Sequence, residues 1–180
     1  MLRLDRKPLK LALLIILLSF ANIGESAFIQ QLKSIESSRL YDLDKTKKEL
    51  DQIEAEKETF SSEEQHLYIL LRAHSETMHS NFPEAEKLLL NIIDSEAGFN
   101  YKGRAHSILA GVLQLQGKYV RSYLHLDKAL GHVPRMDNEE YKANILQNAV
   151  SFYNDSSMLD YAMDHARRLL KLGIQRKDLS

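Results

Sequence analysis

Residues 103–136, GRAHSILAGVLQLQGKYVRSYLHLDKALGHVPRM, carry two apolar runs of helical period that meet at Gly117-Lys118-Tyr119. Leu109, Ala110 and Leu113 fall on one face of the first run, and Ser122, Leu126 and Ala129 on one face of the second. Three- and four-residue spacings of this kind mark amphipathic helices. Gly117 supplies a residue that can end the first helix, and Pro134 stops the second, because proline has no N–H for the helical ladder. The stretch therefore predicts two antiparallel helices joined by a tight turn, each with a face that needs a partner.

Its 34 residues also arrive in a known order. Small and apolar residues on the first helix, a Gly-x-Tyr turn, a small residue at Ser122, Ala129 and a closing Pro134 resemble the tetratricopeptide repeat, a unit of about 34 residues. Two positions depart from that pattern. His106 stands where an aromatic is usual, and Ser122 stands where the small residue is usually Ala.

The same texture recurs on both sides. Phe28, Leu32, Ile35 and Leu40 predict a short first helix ending near Tyr41, and Asp42 can accept from the free amides of a second helix running from Leu43 to about Lys57. That second helix buries Leu50 and Ile53 and exposes a charge run in which Lys47 can pair with Asp51. Ser61 or Ser62, with Glu64 or Gln65, predicts a capping box for a helix reaching Met78. Asn81-Phe82-Pro83-Glu84 predicts another, with Asn81 as the cap and Glu84 reaching back. After the central hairpin, Asp137 or Asn138 opens a helix carrying Tyr141, Ile145, Leu146, Ala149, Val150 and Tyr153. The turn at 154–157 then leads to Leu159, Ala162, Ala166, Leu169 and Leu170.

Aligning one small residue of each second helix gives Thr46, Ala85, Ser122 and Ala162, at spacings of 39, 37 and 40. The excess over a 34-residue unit is expected in the linkers at 57–62, 94–101 and 136–141, because lengthening a surface loop costs little entropy. The fold class expected is all-α: a right-handed superhelical stack of tetratricopeptide-like hairpins, an α-solenoid. Hairpins of this type bury a continuous core only by stacking. The last of them is followed by no polar capping helix, so its outer edge is left to a poor cap, a partner or further chain.

Residues 1–26 read differently. Arg3, Arg6, Lys7 and Lys10 precede LALLIILLSFANI, whose 13 residues fall short of the length that spans a bilayer. Basic start, short apolar run and then Gly24 and Ser26 predict a secretory signal peptide cleaved after Ser26. The alternative is an uncleaved anchor, given Ile23 and Glu25 at the cleavage region. Removing residues 1–26 takes four bases and two acids from totals of 24 and 25, leaving 20 against 23 and a net charge of −3. Residues 27–180 form the expected repeat domain.

That balance lacks the basic field that phosphate-backbone binding needs, so nucleic acid is not an expected partner. Cysteine is absent, which removes disulfides and thiolate chemistry. The seven histidines, His66, His74, His79, His106, His125, His132 and His165, include no HExxH or other i, i+4 pair; His66 and His74 could share a helix face, but no further ligands for a metal can be placed. With no phosphate loop and no nucleophile elbow, the expectation is a protein without catalytic, metal-binding or cofactor-binding residues.

Binding is the remaining class. In tetratricopeptide proteins the first helix of each hairpin lines an inner surface that commonly holds an extended peptide. Here Asn144, Gln147, Asn148, Ser151 and Asn154 form an uncharged polar stripe on the last such helix, and Arg104 can add a positive charge from the hairpin before it. Asn148 in LQNAVSFY resembles the asparagine of peptide-binding repeats. The alternative for the stripe is a solvated helix face. The order of parts, an export signal followed directly by irregular repeats, resembles the periplasmic input region of membrane-bound diguanylate cyclases and sensor kinases. That likeness implies a periplasmic signal-transduction module that binds a protein or peptide and touches the membrane only through its N-terminal segment or a part beyond Ser180. A complete, free periplasmic adaptor is the alternative.

Overall fold

The computed structural model describes residues 26–177, so the expected signal peptide lies outside the described residues apart from Ser26. The fold is all-α. Among the described residues eight α-helices run in order: α1 (Ala27–Ser38), α2 (Leu43–Ile53), α3 (Ser62–Met78), α4 (Phe82–Asp94), α5 (Phe99–Leu115), α6 (Tyr119–His132), α7 (Glu139–Asp155) and α8 (Leu159–Lys177). Short 3-10 turns follow α2 (Glu54–Thr59) and α6 (Val133–Arg135), and no strand occurs among the described residues. No helix among them is long and apolar enough to cross a membrane.

Three hairpin turns repeat one geometry. Ser80, Gly117 and Ser157 hold positive φ of 62°, 71° and 58°. In each turn the next residue's N–H reaches back five positions, Asn81 to Glu76 O at 2.8 Å, Lys118 to Leu113 O at 2.9 Å and Met158 to Tyr153 O at 2.8 Å. This six-to-one bond is the Schellman closure of a helix end. Ala85, Ser122 and Ala162 each follow their left-handed residue by the same interval, and all three are buried where paired helices cross. The Ser122 hydroxyl donates to Ala110 O at 2.7 Å, so a serine serves at this seam without an orphaned polar group. The turn at 39–41 after α1 lacks the positive φ.

The helices pair as α3 with α4, α5 with α6 and α7 with α8, while α1 and α2 touch more lightly. The first helices also meet in succession, α1 on α3, α3 on α5 and α5 on α7, and each second helix packs against the next first helix. This neighbour-only packing is consistent with a stack. The core follows it as a chain of clusters. Leu32, Leu50 and Leu67 join α1, α2 and α3. Leu70, Leu89 and Leu109 join α3, α4 and α5. Leu126, Ala149 and Ala162 join α6, α7 and α8. A fully buried leucine contributes about 2 kcal/mol, so every junction needs its neighbour to hold its helices in place.

Several local expectations hold and several do not. Asp42 accepts from Lys45 N at 2.9 Å, Asn138 accepts from Tyr141 N at 3.0 Å, and Ser61 with Glu64 forms the capping box. Asn81 does not cap α4. Its side-chain amide donates to Glu76 Oε2 at 2.7 Å instead, because the Schellman turn already places it beside α3. Glu84 pairs with Lys87 at 3.2 Å rather than reaching back. Asp51 bonds Arg72 of α3, not Lys47, since a guanidinium from the packed neighbour is better placed than a solvated lysine on its own helix. α1 stops at Ser38 and α2 at Ile53, each earlier than the periodicity predicts. On α8, Leu159, Ala166 and Leu170 face solvent, not the core.

Candidate functional site: a groove along the first helices

The register that superimposes the three turns also aligns the first helices. Thirty-seven and 40 residues apart, His74, Gly111 and Ser151 occupy the same position on α3, α5 and α7. All three line one cavity of about 530 Å³, as do Met78, Leu115 and Asp155 one helical turn further on. A second cavity, of about 230 Å³, adjoins it and shares His74, Ser107, Ile108 and Asn148 with it. Together they form one groove running from Arg39 at the end of α1 to Asp155 at the end of α7.

Its floor is open at one point in particular. A Cβ added to Gly111 would meet no atom within 4 Å, whereas one added to Gly103 in the same helix would lie 3.1 to 3.3 Å from Met136, Ile145 and His132. Gly103 thus permits close helix packing, and Gly111 leaves room in the groove. Around that room stand apolar groups of Met78, Ile108, Leu115 and Phe152.

The polar groups along it are mostly uncharged, with Arg39 and Arg104 on the smaller cavity and Asp155 at the far end as the charged ones. Asn148 donates from its side chain to the Ser107 hydroxyl at 2.8 Å, tying α7 to α5 across the groove. Gln114 donates to Asp155 Oδ2 at 3.3 Å, tying the same helices at the far end. Burial, with Arg39 and Arg104 nearby, pushes His74 down to about 4, so its ring is neutral at pH 7. His74 Nδ1 is buried without a hydrogen-bond partner in the protein. Burial also lowers Arg39, whose guanidinium bonds Glu36 O at the end of α1.

The residues singled out from sequence divide. Asn144, Gln147 and Asn148 lie together on the smaller cavity, and Ser151 joins Asn148 on the larger. Asn154 is exposed and lines neither, because the helix has turned it out of the groove toward the α7–α8 turn. Arg104 is not a free charge. It is 5% exposed, stands 2.6 Å from Glu36 and lies 4.1 Å over the Tyr141 ring, so it pins α1 and α7 to α5. Reading the polar stripe on α7 alone misses Arg39, His74, Ser107 and Gly111. Carrying the 40- and 37-residue spacings back onto α5 and α3 would have located His74 and Gly111.

His66 and His74 do not meet: His66 packs its ring on Tyr101, with centroids 5.2 Å apart. A different set comes together, with His106 facing His125 and stacking on His132 between α5 and α6. No group of His, Cys, Asp or Glu among the described residues has the geometry to hold a metal ion. Neither a protein-family model nor a curated protein matches this chain.

Proposed function

We propose that this chain is a non-catalytic, tetratricopeptide-like binding module that takes an extended peptide or protein segment in the groove along α3, α5 and α7. The observation that carries this reading is the composition of the groove. An apolar floor with a vacancy at Gly111 is edged by Asn144, Gln147, Asn148 and Ser107, which offer both donors and acceptors without charge. Carboxamides match the alternating N–H and C=O of an extended backbone, while apolar pockets take alternate side chains. With the N-terminal segment read as an export signal, the module would work in the bacterial periplasm, as the input region of a signalling protein or as a free adaptor.

The test fills the vacancy. Peptides selected from a random display library against the full chain should bind at least tenfold more weakly to Gly111→Phe, at a position where an added Cβ meets no atom within 4 Å. Asn148→Ala should weaken the same peptides by a smaller factor. Selected peptides that bind both variants as tightly as the parent chain would rule out the groove.

A further inference from the structure

The outward face of α8 has no partner among the described residues; in its first half this matches the preceding helix in register, where Tyr119 and Tyr123 are also exposed, but in its second half the same face is covered on the helices before it. Forty residues before Ala166 and Leu170 stand Leu126, fully enclosed, and Leu130, packed beneath α7. Thirty-seven residues earlier again stand Leu89 and Ile93, covered by α5. On α8 the corresponding stripe reads Leu159, Met163, Ala166, Leu170 and Ile174, at steps of four, three, four and four. Leu159 is 59% exposed, Met163 53%, Leu170 65% and Ile174 52%. At about 100° per residue these side chains share an arc near 80° wide, the width of a seam between two helices.

The charges beside the stripe indicate what covers it. Asp160 and Asp164 lie along one flank in its first half, and Arg167 and Lys171 continue the same flank in its second half. All four are exposed, and none is in an ion pair among the described residues. When two copies of a helix pack antiparallel, the same flank of each meets the other with its direction reversed. Asp160 then faces Lys171 of the second copy, and Asp164 faces Arg167. Both pairings share one midpoint, between His165 and Ala166, so a single twofold axis satisfies four ion pairs. The smallest residue of the stripe, Ala166, sits beside that axis, where the helices come closest. A parallel arrangement would set this flank against the opposite flank of the second helix, which carries Ala162 and Leu169, and leave the four charges without partners.

We propose that α8 docks on α8 of a second copy of this chain, antiparallel about a twofold axis beside Ala166. The face is self-complementary, as an isologous interface requires. It is separate from the groove, so the two sites can be occupied together and fail independently.

The natural sequence contains no cysteine, so a single one reports proximity without background. In the full 180-residue chain, Ala166→Cys places two thiols next to the axis, within the short Cβ separation a disulfide needs. Mild oxidation should convert this variant to a species of twice the mass. Glu56→Cys, exposed on the 3-10 turn after α2, should stay a monomer. Adding Asp164→Arg to Ala166→Cys should slow crosslinking at least tenfold, and adding Arg167→Asp as well should restore it. Crosslinking no faster than in Glu56→Cys would overturn the proposal. A rate that ignores the charge changes would also overturn it, as would a stripe covered by residues 1–25 of the same chain.

Discussion

His106 of α5 and His125 of α6 face each other across the seam of the third hairpin, with their Nδ1 atoms 2.9 Å apart. At that separation one Nδ1 carries a proton and donates, and the other accepts. Two imidazolium rings would set donor against donor. Burial, then the neighbouring His125, His132, Lys128 and Lys102, pushes His106 down to about 4, and burial with Lys128 and Arg121 lowers His125.

A pH dependence follows with a definite sign. His74 and His106 both fall to about 4, below the ordinary value near 6.5. The unfolded chain therefore binds more protons than the native one as pH falls below 6.5, and stability drops with it. Stability should be full above pH 6.5 and drain away between about 6.5 and 4. Glu64, held low by the Ser26 and Ser61 hydroxyls, adds its own loss only at more acidic pH. Thermal melts should show a Tm lower by about 5 °C at pH 5 than at pH 7, and His106→Phe should show a smaller difference. A flat profile in the parent chain would contradict the neutral pair.

Arg104 and Glu36 form a buried pair, with side chains 6% and 11% exposed. Their facing atoms are held by charge and proximity rather than by an aligned hydrogen bond. Glu36→Gln removes the countercharge and leaves a buried guanidinium, which costs about 3–5 kcal/mol. Lys87→Ala breaks the exposed pair with Glu84 and should cost under about 0.5 kcal/mol. Urea denaturation of both variants measures the contrast.

The three left-handed turn residues differ in how well they suit their backbone. Ser80 and Ser157 adopt φ near 60° with a Cβ present, while Gly117 does so without one. Ser80→Gly and Ser157→Gly should each raise stability by up to about 1 kcal/mol, and Gly117→Ala should lower it by about 1 kcal/mol. Equilibrium unfolding at pH 7 distinguishes these signs.

Much of this architecture is legible in the chain because it is local. Apolar spacing marks the helices, Gly117 and Pro134 punctuate the central hairpin, and Ser61 with Glu64 announces α3. What is not legible depends on neighbours far along the chain. Arg104 looks like a solvent-facing charge until α1 brings Glu36 beside it. His106 and His125 are 19 residues apart and meet only because α6 folds back on α5. Leu170 has the periodicity of a core residue, and whether it is covered depends on what packs beyond α8.

The groove itself is tested most directly by nuclear magnetic resonance of the isotopically labelled chain, titrated with a library-selected peptide. Backbone and side-chain amide signals of Ser107, Gly111, Asn144 and Asn148 should shift together and saturate at one equivalent, while those of α8 stay in place. Saturating shifts confined to α8 or to the α2 and α4 surfaces, with Gly111 and Asn148 unmoved, would contradict a peptide-binding groove along the first helices.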